Sequence, residues 1–159
     1  MTIRESETSR SARIMGVGAY RPSRLIPNSE VIEAIDSSDE WIQQRSGIKQ
    51  RRWAAPPKSI QLMSVHASRE ALEAADVDAE QIDCVIVATV SHMLQTPAIA
   101  TAIAHELGTN QAAAFDISAA CAGFCHGIAL ASDMVRAGSA GHVLVIGVER
   151  LTDILDLHD

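Results

Sequence analysis

Cys121 opens the second of two apolar runs, Ala112 to Ile117 and Cys121 to Ala137. The first reads as a buried strand and the second as a buried helix. The thiol is therefore expected where a strand ends and a helix begins. There it faces unpaired backbone N–H groups and the positive end of the helix dipole, and both favour the nucleophilic thiolate. Ser118, Ala119, Ala120, Ala122 and Gly123 surround it with small side chains, so a substrate can approach the sulfur closely. The competing reading is a small buried hydrophobe, the usual fate of a free cysteine.

Other side chains near it suggest different chemistry, and each is weaker. Cys121, Cys125 and His126 contain metal-binding residue types, but two cysteines at i, i+4 with no second ligand pair are a poor zinc pattern. His126 is five positions beyond Cys121, which turns it away from the thiol on a helix and makes it a poor general base. Asp116 precedes the thiol on the strand and reads as a structural hydrogen-bonding residue. Farther upstream, Trp41 and Arg45 are four apart on a short helix and share a face. An indole beside a guanidinium can hold an adenine ring and phosphates, or it can be a surface Trp packed on an Arg stem. Lys49, Arg51 and Arg52, followed by Trp53, could receive phosphates or an acidic carrier; a solvated edge strand is the favoured reading. Gly16-Val-Gly18 lacks the third glycine and the following helix of a dinucleotide loop, and reads as close backbone packing in a strand.

The elements that must position these residues follow from periodicity and caps. Arg13 to Ala19 reads as the first strand, after a loose polar tail over 1–12. Asn28 or Ser29 can cap a short helix to about Ile35, and Ser37 or Ser38 a second from Asp39 to Arg45, closed by Gly47. Ser59 caps an amphipathic helix from Ile60 to Ala75 with Leu62, Val65, Ala71 and Leu72 as its buried stripe; His66 on it is structural. A turn at 78–82 leads to a strand from Asp83 to Val90, in which Cys84 is core. A loop over 91–96 follows, then a helix begun by Pro97 and ended at Gly108. The 112–117 strand, the cysteine helix and a strand from His142 to Val148 complete the order. Strands alternating with helices, several of them apolar throughout, imply a largely parallel sheet covered on both faces.

Length and composition set limits on this. The 159 residues allow one ordinary domain, and 47% apolar content is globular. A formal charge of −7 argues against nucleic-acid and anionic-membrane binding. No apolar run is long enough to span a bilayer, and residues 1–12 lack a signal-peptide core. Three cysteines form no disulfide framework, and a reducing cytoplasm is the expected location.

Three segments together resemble one family. They are Asp116-Ile-Ser-Ala-Ala-Cys-Ala-Gly-Phe124, Asp36-Ser-Ser-Asp-Glu-Trp-Ile-Gln-Gln-Arg-Ser-Gly-Ile48 and Val87-Ala-Thr-Val-Ser-His-Met-Leu-Gln-Thr-Pro97. Their types and order resemble ketoacyl synthase III of the thiolase superfamily, from about Arg13 to Asp159. The resemblance implies an α/β, thiolase-like fold with a mostly parallel mixed sheet covered by helices, here as the N-terminal domain over 13–159. It implies an acyltransferase in which Cys121 takes an acyl group from acyl-CoA and passes it to malonyl-acyl carrier protein in a decarboxylating condensation. Trp41, Arg45 and Ser37 are then coenzyme A contacts, Leu151 lines the acyl pocket, and Thr96 lies in the loop that reaches across the homodimer interface toward the partner's acyl pocket. Small Thr96 implies room for primers longer or more branched than acetyl. Acyl-CoA is a substrate and no cofactor is expected; a cytoplasmic homodimer is. Such enzymes are about twice this length, and their catalytic His and Asn fall in the second half, so the chain is expected to be a fragment or to have that half supplied separately. A polyketide-priming relative and a non-catalytic binding fragment are the alternatives.

Overall fold

The structure, a computed structural model, describes residues 11–33, 35–54 and 59–155; of the tail expected over 1–12, residues 1–10 lie outside them. The fold is built on one strand. β3, Cys84–Ala88, is buried along its whole length, its five residues between 0% and 6% exposed. An uninterrupted apolar run of this kind is stable only with cover on both faces and neighbours on both edges. β4, Ala113–Ile117, pairs with it in parallel on one side, and β5, Val143–Gly147, on the other.

Alternation along the strands divides the core. Val85 and Val87, with Leu144 and Ile146 opposite them, face helices α3, Ile60–Ala75, and α4, Ile99–Leu107, in a cluster that includes Ile60, Val65 and Ile103. Ile86 and Val145 face the other way, toward helix α5, Gly123–Ala137. The result is the helix–sheet–helix layering expected for an α/β fold. The antiparallel component is a separate ribbon, in which β1, Arg24–Pro27, pairs with β2, Gln50–Trp53. Between its strands lie α1, Asn28–Val31, and α2, Asp39–Ser46.

Local caps behave as their residue types require. Ser38 accepts a bond from the Trp41 N–H at 3.1 Å and Ser59 from the Leu62 N–H at 3.1 Å. Gly47, Gly108 and Gly138 close α2, α4 and α5 with positive φ, the backbone state that glycine takes without a Cβ penalty.

Several expectations are corrected. Arg13 to Ala19 forms no strand: Gly16 and Gly18 lie directly on α3, where an added Cβ would come within 2.2 Å of the Ala71 carbonyl oxygen and 2.1 Å of the Ala67 carbonyl oxygen respectively. The close-packing reading of these glycines holds; the strand reading fails because a strand needs a ladder partner. Pro97 does not start α4, which begins at Ile99. The first helix is only Asn28–Val31, with Pro27 as its cap, because Asn28 turns its side chain inward instead. On α3 the buried stripe is Ile60, Met63, Ser64, Val65 and Ser68, a rotation away from Leu62 and Ala71, which are half-buried.

The largest correction concerns α5. Its apolar sequence reads as a buried helix, yet only Gly123 and Gly127 are buried, while Phe124, Ile128 and Leu130 are exposed. The glycines set the helix against the sheet: a Cβ at Gly127 would stand 2.9 Å from Val145 Cγ1 and 3.5 Å from Ile117 Cδ1. Gly127→Val should therefore force α5 off β5 and cost about 1–3 kcal/mol by overpacking. The urea midpoint of the variant protein, read against wild type, measures it; an unchanged midpoint contradicts the close approach.

Candidate functional site

In a parallel sheet all strands end on the same edge, and loops leaving that edge are where ligands bind. The loop after β3 carries Thr96, the loop after β4 carries Cys121, and the loop after β5 carries Leu151. All three residues are exposed. The fold thus gathers at one edge residues that are 25 and 30 positions apart in the chain.

Cys121 occupies a short 3-10 turn, Ala120–Ala122, immediately before α5. The turn is entered through Ala120 at φ 45°, a left-handed conformation that costs a non-glycine residue roughly 1–2 kcal/mol. Its hydrogen bonds are donated by Ala122 N–H to Ala119 O and by Gly123 N–H to Ala120 O. A Cβ on Gly123 would sit 3.1 Å from that of Ala88, so the turn rests directly on the end of β3. All three cysteines are free thiols, but their settings differ. Cys84 is fully buried, and burial first, then the charge of Asp83, pushes its thiol up and away from the thiolate. Cys125 and His126 are on exposed parts of α5.

Two carboxylates hold the loop after β3. Asp116 reaches from β4 to the start of α4, its Oδ2 accepting from Ile99 N–H at 2.8 Å and its Oδ1 from Ala100 N–H at 2.9 Å. The helix has no side-chain cap of its own, so this carboxylate supplies one from β4, the strand that leads to Cys121. Asp116 is thus structural, as expected. At the other end of the loop, Glu149 accepts from Val90 N–H at 2.9 Å and Ser91 N–H at 3.0 Å. Sequence reasoning missed Glu149 because its partners are 58 and 59 residues away.

The ribbon layer carries the second group. Arg45 stacks over Trp41 with its guanidinium carbon 5.7 Å from the ring centroid, and Trp41 is 56% exposed. Ser37 is half-buried just before the cap residue, its Oγ inaccessible and without a hydrogen-bond partner. Underneath, Asn28 is buried and joins three elements. It donates to Asp39 Oδ1 and to Ile48 O, both at 2.7 Å, and accepts from Arg51 Nη1 at 2.8 Å. The Asn28 bond, then one from Gln43, holds the Asp39 carboxyl below its ordinary value; its contribution is present above that ordinary value and lost as pH falls through the lower folded one. Within the basic run, Arg51 and Arg52 are engaged, Arg52 Nη1 donating to Pro22 O at 2.9 Å, on a two-stranded ribbon where every strand is an edge. That fits the solvated edge strand expected there. His66 stacks on Tyr20 at 5.4 Å between centroids.

An open groove of about 580 Å³ runs between the ribbon and the loop after β5, with Trp53, Arg52, Met63, Arg150 and Leu151 among its walls. It joins Leu151 to the ribbon layer; Cys121 is not on its wall. Among the described residues no group of three or more His, Cys, Asp or Glu is placed to hold a metal, and no helix is long and apolar enough to cross a membrane.

Removing the Asn28 amide leaves an Asp39 oxygen, the Ile48 carbonyl and Arg51 without a partner. Asn28→Ala should lower stability by about 1–3 kcal/mol. Denaturant unfolding of the variant protein checks this; a loss no greater than that of an exposed polar substitution would contradict the network.

Comparison with known proteins gives a consistent result. Residues 115–159 match the family model for 3-oxoacyl-[acyl-carrier-protein (ACP)] synthase III. The chain is 59% identical over 157 residues to beta-ketoacyl-[acyl-carrier-protein] synthase III 1 of Streptomyces coelicolor, covering 99% of this chain and 46% of that protein. Among solved structures, a priming beta-ketosynthase from a polyketide biosynthetic pathway is similar at 52% identity with a TM-score of 0.92, over 99% of this chain and 47% of that one. 3-oxoacyl-[acyl-carrier-protein] synthase III from Aquifex aeolicus superposes with a TM-score of 0.88 at 38% identity, over 92% of this chain and 47% of its own. The chain spans about half the length of the relatives it matches.

Proposed function

Because this chain belongs to the beta-ketoacyl-[acyl-carrier-protein] synthase III family, we propose that it carries the acyl-accepting part of a condensing acyltransferase. The observation that carries the proposal is Cys121 itself. It is exposed, while Cys84 is sealed in the core, and it is seated on a turn between the end of β4 and the first turn of α5.

In the proposed reaction an acyl-CoA binds with its nucleotide end on Trp41, Arg45 and Ser37. The Cys121 sulfur attacks the thioester carbonyl. The bond from Sγ to the acyl carbon forms, the bond to the coenzyme A sulfur breaks, and the thiol proton leaves with coenzyme A. The backbone N–H of Cys121 is the proposed donor to the oxyanion, since the bonds within its turn are made by the next two N–H groups. Malonyl-acyl carrier protein then loses carbon dioxide, and its carbanion attacks the acyl carbon. A carbon–carbon bond forms as the Cys121 ester breaks, giving a 3-oxoacyl-carrier protein. Division into two steps is ordinary covalent catalysis. The donors that stabilise the enolate are proposed to lie outside these 159 residues, in the part of the relatives' length that the chain does not span.

Acyl-CoA serves here as substrate and not as a resident cofactor. A homodimer in the cytoplasm completes the proposal, with the free state of all three cysteines supporting a reducing compartment. Priming of a polyketide is the second reading, favoured by the similarity to a polyketide-pathway priming ketosynthase. Identifying the product formed from malonyl-carrier protein and each primer separates the two.

The direct test uses the full-length enzyme and acyl-labelled coenzyme A. Label should be recovered on the peptide containing Cys121, and Cys121→Ser should abolish it. Recovery on Cys84 or Cys125 refutes the assignment. Primer choice gives a second test. If Thr96 walls the acyl pocket, Thr96→Phe removes space, and each methylene no longer accommodated forfeits about 0.8 kcal/mol of burial. The ratio of kcat/KM for a longer or branched acyl-CoA to that for acetyl-CoA should fall; a constant ratio takes Thr96 out of the pocket.

A further inference from the structure

We propose that Asn28 is a positioning residue for coenzyme A recognition: it staples both ends of α2, the helix that carries Trp41 and Arg45, to the antiparallel ribbon. The ribbon ladder runs to the pair Pro27 and Gln50, and a main-chain bond from Asn28 N–H to Lys49 O at 3.4 Å extends it by one step. From that root the Asn28 side chain is buried. Its amide nitrogen donates to Asp39 Oδ1, on the first residue of α2, and to Ile48 O, just past the Gly47 that closes the helix, both at 2.7 Å. Its amide oxygen accepts from Arg51 Nη1, on β2, at 2.8 Å.

The helix needs such a staple. α2 has eight residues, and helices shorter than about 12–15 residues are marginal unless tertiary contacts hold them. Only Ile42 among its residues is buried, so it has no broad apolar stripe to fix its rotation. The Ser38 cap and the bond from Gln43 Nε2 to Asp39 Oδ2 at 2.8 Å are internal to the helix and its cap, and do not orient it. The Asn28 bonds do. Two acceptors and one donor surround the amide, which fixes which of its atoms faces which partner. The bond to Asp39 is made to a carboxylate, and bonds of that kind are about twice as strong as neutral ones. Trp41 and Arg45 are exposed on this helix, stacked on one another. A tilt or slide of α2 therefore carries the pair with it. The inference rests on the reading of Trp41, Arg45 and Ser37 as contacts to the nucleotide end of acyl-CoA.

The test uses the full-length enzyme with an acyl-CoA and with the matching acyl-pantetheine, which has the same thioester and no nucleotide. Asn28→Asp keeps the size of the side chain and sets a carboxylate against the Asp39 carboxylate and the Ile48 carbonyl. Its kcat/KM for acyl-CoA should fall about tenfold, mainly through KM. Its kcat/KM for acyl-pantetheine and the alkylation of Cys121 by iodoacetamide should not change. Asp39→Asn weakens only one end of the staple, so it should give a smaller loss in the same direction, and it reads the staple even where Asn28→Asp does not fold. In a double-mutant cycle, Asn28→Asp should cost little more on top of Trp41→Ala than Trp41→Ala costs alone, because both act on one platform. Equal losses with both substrates mark a merely structural role and overturn the proposal. No loss with acyl-CoA in the folded variants overturns it as well, as does full additivity with Trp41→Ala. If Trp41→Ala impairs acyl-CoA use and the staple variants do not, the staple alone is refuted; if Trp41→Ala has no effect, the coenzyme A reading fails and the proposal with it.

Discussion

The two-sided burial of β3 is the constraint from which the rest of the architecture follows. A strand with apolar side chains on both faces cannot be an edge or lie on a surface. It requires helices above and below and a neighbour on each side, and the parallel pairing of β4 and β5 meets that requirement. Parallel pairing has a geometric consequence: the ends of β3, β4 and β5 coincide, so their three following loops share one edge of the sheet. The loops that carry Thr96, Cys121 and Leu151 are thereby brought to one edge, although the residues are 25 and 30 positions apart in the chain.

Glycine then decides how closely α5 rests on that sheet. With Gly123 over Ala88 and Gly127 over Val145, α5 rests on the strands' side chains with no side chain of its own at these two positions. Of its larger apolar residues, Phe124 lies against Gly147 of β5, and Phe124, Ile128 and Leu130 all remain exposed. The sequence composition of α5 signals an apolar helix. It carries no information on whether the cover comes from within these 159 residues. This is why the same apolar run reads as buried and is observed with an open face, in a chain spanning about half the length of its relatives.

What was legible beforehand was what acts over a few residues. Ser38 and Ser59 bond to N–H groups three positions on, and Gly47, Gly108 and Gly138 end helices by their own backbone freedom. The Trp41–Arg45 pair meets because helical residues four apart share a face. Cys84 as core and Cys121 at a strand-to-helix junction follow from hydrophobic runs alone. The illegible part consists of polar groups whose partners are distant in sequence. Asn28 is a good helix cap by type, but its amide is committed to Asp39, Ile48 and Arg51. Pro97 marks a favourable helix start, yet Asp116 fixes the start two residues later. Periodicity also suggests a strand at 13–19 without supplying the partner that a strand requires.

Strain and support meet at Cys121. Ala120 is held at positive φ, a state that its own sequence does not favour, so neighbouring contacts must over-determine it. Those contacts are the seat of Gly123 on Ala88 behind the turn and the Thr89 N–H bond to Ile117 O beside it. Both involve the end of β3, the strand that tertiary burial fixes most firmly. Stability of the core is thereby transmitted to the turn, and the sulfur is presented from a backbone that cannot relax into a longer regular helix. The small residues around Cys121 serve two purposes at once: they leave the sulfur exposed, and they permit the close packing of Gly123 on Ala88 that keeps the turn in place.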